Sequence, residues 1–523
     1  MKYRSTRGSP KLLSFSEAVL VGLAEDGGLF IPENIPSLPE NWSKAWSDLT
    51  YKSLAFEIFS LYIPSEEISR EELKQLIDKS YSTFTFNDIT PLKQIRENLY
   101  ILELFHGPTF AFKDVALQFL GNLFEYLLEK KNKEKKEEEN ITVLGATSGD
   151  TGSAAIYGLR GKKNISVFIL HPRGKVSPVQ EAQMTTVLDK NIHNLAVEGT
   201  FDDCQDIVKN LFADRSFNEK YHLGAINSIN WARILAQIVY YFYSYFQLLS
   251  SLNITIESKE SKEIYLQYCV PTGNFGDILA GYYAKKMGLP INKLVVSTNS
   301  NDILDRFFKN GRYERSKGGN GVTVIETLSP AMDIAISSNF ERLLWYLVYE
   351  NIDKKEEERN EEEKVKETSS IIREWMQNVK VNKSLVVEKS VLDISLRDFI
   401  SERVSDQETL DTIKKYYAPE NENQISYILD PHTAVGVAAA DRQNISPGLL
   451  HRNTYQICLA TAHPAKFSQA VEKALENFKE FKFENILPKE FIGLLERERK
   501  VVFVEGAEPS LVKQVIENEL DNE

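Results

Sequence analysis

Cysteine is scarce: Cys204, Cys269 and Cys458 are the only three in 523 residues, and they lie far apart. Such spacing excludes a disulfide framework or a zinc motif, and no metal is expected. Cys269 and Cys458 fall in apolar strand-like runs and read as small core residues. Long apolar runs are missing as well. Nothing of spanning length occurs, and no apolar signal core follows the basic start Met1-Lys2-Tyr3-Arg4. The expectation is a cytoplasmic protein with no membrane partner and no organelle address. Positive charge is also in deficit. Lys and Arg number 62 against 75 Asp and Glu, a net charge of −13, which argues against a nucleic-acid partner across the whole surface. It leaves room for a local basic pocket. No internal repeat is present.

What remains is an ordinary globular composition, 42% hydrophobic and 26% charged, long enough for two to four domains. Residues 1–95 carry helical patterns and Pro-rich turns and form a separate N-terminal region. From Ile101 onward, apolar strand candidates alternate with helices. The strand candidates are Ile141–Leu144, Ser166–Leu170, Tyr265–Val270, Lys293–Thr298, Ser426–Leu429, Tyr455–Ala460 and Lys500–Val504. This alternation predicts an α/β fold with mostly parallel sheets covered on both faces. Ligands gather at the carboxyl ends of such strands. Two mixed-charge runs, 130–139 and 353–364, lack apolar residues and read as solvated helix ends or loops.

Lys113 has the most telling surroundings. It ends His106-Gly107-Pro108-Thr109-Phe110-Ala111-Phe112-Lys113 and opens a helix. Ala116, Phe119, Leu120, Leu123, Phe124 and Leu127 then recur at three and four, one apolar stripe. A lysine held against apolar surface loses proton affinity, and its neutral amine becomes a nucleophile. The alternative is a stem laid on the surface with its head in water. Two glycine-rich turns follow. Gly145-Ala146-Thr147-Ser148-Gly149-Asp150-Thr151-Gly152 and Pro271-Thr272-Gly273-Asn274-Phe275-Gly276-Asp277 each join a predicted strand to a predicted helix. That geometry aims backbone N–H groups and a helix dipole at one spot and suits an anion. Neither has the Gly-Lys-Ser/Thr ending of a nucleotide loop. Each is equally an ordinary strand-to-helix connection.

Taken together these segments resemble the threonine synthases, of the longer fungal and bacterial kind. These are fold type II pyridoxal-phosphate enzymes of the tryptophan-synthase-β family. The resemblance runs through Tyr3–Gly8, Gly22–Pro32, Phe105–Asp114, Gly145–Gly152, His171–Pro178, Asn227–Arg233, Gly273–Asp277 and Leu459–Phe467. It implies two open, mostly parallel α/β subdomains behind an N-terminal helical domain of residues 1–95. The catalytic region is then 96–523, with a smaller subdomain at about 140–225, a larger one from the remainder and a charged insertion at about 353–367.

The resemblance also implies roles. Lys113 forms the Schiff base with pyridoxal 5'-phosphate and afterwards shuttles protons. Gly273, Asn274, Phe275, Gly276 and Asp277 form the phosphate cup, with Asp277 expected to cap the following helix. Thr461 partners the pyridine nitrogen or is an ordinary strand-end hydroxyl. Asp150 stands where relatives carry Asn against the cofactor's 3-oxygen, which leaves its placement open. Thr147, Ser148 and Thr151 bind the substrate carboxylate. Arg233 and Lys175 hold the substrate phosphate or form surface ion pairs. His106 and His463 are expected to be structural. The implied reaction turns O-phospho-L-homoserine and water into L-threonine and phosphate, the last step of threonine biosynthesis, in a monomer or homodimer. The alternatives are a phospholyase releasing 2-oxobutyrate and a non-catalytic homologue.

Overall fold

A computed structural model describes the chain except residues 134–137, 225, 316, 319–320, 323, 356–358, 422, 446–452 and 522–523. Parts of both charge runs therefore lie outside the described residues. Of the second, residues 353–355 and 361–364 lie at the ends of two packed helices, Phe340–Lys355 and Glu361–Val381.

Two open sheets organise the molecule. The larger has the order Phe399–Arg403, Lys293–Thr298, Tyr265–Pro271, Thr454–Ala460, Leu99–Glu103, Leu92–Arg96. All neighbours are parallel except the last pair. The smaller runs Val502–Val504, Ile192–Val197, Ile165–Pro172, Ile141–Ala146, Leu223–Gly224, parallel throughout. Helices cover both faces, so Ile192–Val197 and Leu99–Glu103 are buried at every position. The predicted strands at Ile141, Ser166, Tyr265, Lys293, Tyr455 and Lys500 all appear, with ends shifted by up to two residues.

One strand expectation is corrected. Ser426–Leu429 is extended but unpaired in a ladder. Its neighbouring amides go elsewhere, Ile425 N to Ile95 O (2.8 Å) and Tyr427 N to Tyr416 O (2.8 Å). The segment is a lead-in to the helix Pro431–Ile445, whose first turn Asp430 caps. The smaller sheet also reaches beyond residues 140–225. Val502–Val504 adds its edge strand, and the helix Pro509–Leu520 packs Val512 and Ile516 beneath it.

The N-terminal region is an antiparallel pair, Tyr3–Ser5 with Phe30–Pro32, and short helices. Two of these helices start in Ser/Glu capping boxes, at Ser14/Glu17 and Ser69/Glu72. Arg342, fully buried, ties this region to the rest. It donates to Phe30 O (2.9 Å), Ile229 O (2.7 Å) and Asn339 Oδ1 (2.5 Å).

The helix Lys113–Lys133 packs closely on the helix Asp150–Leu159. A Cβ on Gly121 would lie 2.0 Å from Gly158 O, and one on Gly158 would lie 2.5 Å from Leu117 O. Only glycine at both positions permits this approach.

Candidate active site

Between the two sheets, at the carboxyl ends of their strands, lies a cleft of about 3040 Å³. Every site residue named from the sequence lines it: Lys113, Thr147, Ser148, Asp150, Thr151, Lys175, Arg233, Gly273, Asn274, Phe275, Gly276, Asp277 and Thr461. They come from four strand ends and four helix starts.

Lys113 is the first residue of its helix and only 8% exposed. The turn before it is folded onto Asp114, whose carboxylate accepts from Thr109 N (2.8 Å) and Thr109 Oγ1 (2.7 Å). Phe112 N donates to Thr461 O (2.8 Å), which fixes Lys113 relative to the strand Thr454–Ala460. Burial pushes the Lys113 ammonium below its ordinary pKa. Asp150, with Oδ2 3.6 Å from Nζ, opposes the shift, while Lys466 and Arg233 add to it. A nucleophilic amine is the outcome.

Asp150 opens its own helix behind Gly149 (φ 144°), the strained turn that only glycine adopts readily. Burial acts to raise its pKa, but the ammonium groups of Lys466 and Lys113 overcome this and hold the carboxyl well below the usual range. Thr147 Oγ1 accepts from Gly149 N (3.0 Å) and Gly152 N (2.8 Å), so it serves the loop itself. Ser148 and Lys175 are exposed at the rim of the cleft, and Thr151 is half-buried.

In the second turn, the helix Gly276–Met287 begins at Phe275, which sits at φ 64°. A bulky residue there is strained. Packing against Phe308, Phe340 and Phe399 holds it. The first amides of the helix have no intrahelical acceptor and open into the cleft. Asp277 does not cap this helix. Its carboxyl turns to Tyr240 and Tyr241, whose hydroxyls donate to Oδ1. Burial, partly offset by those bonds, pushes it up to about 7. A carboxyl that is half neutral removes most of the conflict between an acid and a nearby anion.

Arg233, in the first turn of the helix Trp231–Ser251, is 4% exposed and has no carboxylate partner among the described residues. Nε and Nη1 have no acceptor among the described residues, and burial pulls its pKa to about 10. A buried guanidinium without an anion is costly unless a ligand brings one. Arg233 is therefore no surface ion pair.

Several neighbours escaped the sequence reading. Lys466 is fully buried and pairs with Asp150 Oδ1 at 2.7 Å. Gln180 Nε2 donates to the same oxygen (2.9 Å). His432, held by Asp430, accepts from Ala331 N (3.2 Å) and steadies the segment against Gly273. Asn339 donates to Asn274 O and Ser228 O, both 3.0 Å. The one readable signal was a lysine in the apolar setting Pro464-Ala465-Lys466-Phe467. His106 pairs with Glu103 and His463 caps the turn Pro464–Lys466; neither lines the cleft.

The residues fit pyridoxal phosphate: a buried amine, an opened helix start and an unpartnered guanidinium share one cleft. Fold and site together define a fold type II pyridoxal-phosphate enzyme. Family descriptions match along the chain: threonine synthase N terminus at 2–81, pyridoxal-phosphate dependent enzyme at 85–387, and threonine synthase, C-terminal, at 433–516. Threonine synthase of Schizosaccharomyces pombe is 54% identical, covering 100% of this chain and 99% of that protein. The crystal structure of threonine synthase from yeast superposes with a TM-score of 0.91 at 52% identity, covering 100% and 99%. The pyridoxal-phosphate-bound threonine synthase from Brucella melitensis gives 0.84 at 38%, covering 99% of each. The chain belongs to the threonine synthase family and is a pyridoxal-phosphate-dependent lyase.

Proposed function

We propose that this enzyme converts O-phospho-L-homoserine and water into L-threonine and phosphate, with Lys113 as its catalytic base and acid. The observation that carries the reading is the pairing of a buried, deprotonation-prone Lys113 with an anion-seeking Arg233 in one cleft.

Bound pyridoxal phosphate supplies the electron sink that acidifies the substrate's Cα and Cβ protons. The amides of Gly273–Gly276 would hold its phosphate, and Asp277, with its pKa raised by burial to about 7, would repel it less than an ordinary carboxylate. Thr461, pinned by Phe112, offers its hydroxyl to the pyridine nitrogen. Lys113 Nζ takes the proton from Cα, passes it to an acceptor within the site so that the amine is neutral again, and then takes the proton from Cβ as the γ-phosphate leaves. Arg233 receives that phosphate, with Lys175 at the rim as the entry contact. Ser148, Thr151 and the loop amides hold the substrate carboxylate, and Thr147 keeps that loop in shape. Lys113 returns protons at Cγ and Cα, while water adds its hydroxyl at Cβ and its remaining proton goes to the departing phosphate. Asp150 stands by Lys113 and keeps a negative charge next to the amine.

The test quantifies threonine, 2-oxobutyrate and phosphate from one incubation with pyridoxal phosphate and O-phosphohomoserine, beside Lys113→Ala. Threonine should equal phosphate, and the variant should lose both together with the yellow absorbance band. Phosphate with 2-oxobutyrate in place of threonine would reassign the enzyme as a phospholyase.

A further inference from the structure

Lys466 has no role in the steps above, yet it is the most deeply buried charge in the cleft. Its side chain has 0% exposure. The turn Pro464–Lys466, capped by His463, delivers it from the end of the central strand. Nζ donates to Thr109 O at 2.8 Å and pairs with Asp150 Oδ1 at 2.7 Å. Gln180 Nε2 binds the same Oδ1, so that oxygen is fully engaged. The other oxygen, Oδ2, stays 3.6 Å from Lys113 Nζ, longer than a hydrogen bond. The carboxylate is thus committed to Lys466, and Lys113 receives only what is left of its field.

We propose that Lys466 is a positioning residue that occupies Asp150 and thereby keeps Lys113 available as a free amine. If Lys466 were absent, Asp150 would have one cationic partner, and Lys113 would hold its proton as that partner. With Lys466 present, two ammonium groups share one carboxylate in a dry site, and the one farther from it loses its proton first. The charges facing Lys113 are Asp150, Lys466 and Arg233, and the Phe112 ring lies 5.0 Å from Nζ. Asp150 additionally faces His432, and Asp114 faces Lys466 from the other side. Of these, Lys466 is the ammonium in direct contact with Asp150. The directions agree: Asp150 is held ionised mainly by Lys466, and Lys113 is pushed down by it.

The inference rests on Lys113 being the cofactor lysine, and the test separates the two. Borohydride reduction and peptide mapping of the wild-type holoenzyme should place the cofactor on Lys113; label elsewhere would sink that reading and this inference with it. Next, the absorbance band of the bound cofactor is titrated with pH in wild type, Lys466→Met and Lys466→Arg. Removing the positive charge should move the midpoint to alkaline pH by about one unit. The arginine variant, which keeps the charge, should titrate with the wild type. A methionine variant that is folded by circular dichroism but shows the wild-type midpoint overturns the proposal and leaves Lys466 a purely structural anchor for Thr109. If the methionine variant does not fold, Lys466→Gln decides. It keeps a hydrogen-bond donor for Thr109 O and Asp150 but carries no charge, so the midpoint must move to alkaline pH. An unmoved midpoint there also overturns it.

Discussion

Arg233 shows how a single side chain can be tuned for a ligand at the expense of the fold. Its guanidinium is buried without an acceptor for Nε or Nη1. Arg233→Met should therefore stabilise the cofactor- and substrate-free protein, by about 1–4 kcal/mol on the precedent of buried charges replaced by apolar groups. The same change should raise KM for the phosphorylated substrate at least about tenfold, the loss of one charge-assisted contact. Denaturant unfolding and steady-state kinetics read the two effects separately. Asp277 makes a second residue-scale prediction. Burial raises its pKa to about 7 in the folded protein, against an ordinary 3.8 for an exposed aspartate. Between those values the native state binds more protons than the unfolded chain, so this group lowers stability as pH rises from about 4 to about 7. Above about 7 the loss is complete and constant. Asp277→Asn should flatten that part of the stability–pH curve, which urea unfolding at several pH values would reveal. Lys113, the two glycine turns and Arg233 were legible in the sequence because each lies in a short run whose chemistry is local. Lys466, Gln180 and Arg342 were not, because their partners lie 30 to over 300 residues away. Asp277 was legible as a site residue but not in its role, because its tyrosine partners sit on another helix.

At the scale of elements, two helices and their contact decide the geometry of the chemistry. The helix Lys113–Lys133 carries the amine, and the helix Asp150–Leu159 carries its carboxylate neighbour. They meet at Gly121 and Gly158, where an added methyl would strike backbone. Gly121→Ala cannot be relieved by turning a side chain. It should cost about 1–3 kcal/mol as overpacking, and also shift Lys113 against Asp150. Thermal melting should record the first effect and the cofactor's absorbance maximum the second. The strands show where pattern reading works. Lys293–Thr298 and Tyr265–Pro271 are mostly apolar runs; the first was read with its bounds intact and the second one residue short. Ile192–Val197 was missed because His193 and Asn194 interrupt its apolar run. Both are nonetheless buried, His193 stacked on Phe168 and Asn194 donating to Met184 O (3.1 Å). Phe399–Arg403 is an edge strand with a charged end, too short for a period to show. Ser426–Leu429 has strand composition, but Ile425 N and Tyr427 N bond singly to Ile95 O and Tyr416 O rather than in a ladder.

For the whole molecule, the alternation of strand and helix was enough to place the chemistry at strand ends but not to give strand order. Order is set by crossovers, and the chain closes both sheets with its last segments. Val502–Val504 and the helix Pro509–Leu520 complete the smaller sheet from the far end of the sequence. Ending the chain after residue 500 should expose Val197, Leu195 and Cys204, buried at 0%, and unfold the smaller half while the larger keeps its helical signal. Hydrogen exchange resolved by peptide would show protection lost across 141–224 and retained across 265–298. An intact smaller sheet in that variant would show that its edge strand is dispensable. Among the described residues no helix is long and apolar enough to cross a membrane.

The place of Thr454–Ala460 has a bearing on how the protein is made. This strand lies in the middle of the larger sheet, between Tyr265–Pro271 and Leu99–Glu103, and bonds to both. During translation the ribosome delivers the two flanking halves long before their common partner. The nascent chain therefore waits with two open parallel edges, the kind that pair with neighbours and aggregate. Chaperone shielding until Thr454–Ala460 has emerged is the natural demand of this topology, and termination upstream of it leaves the larger sheet split.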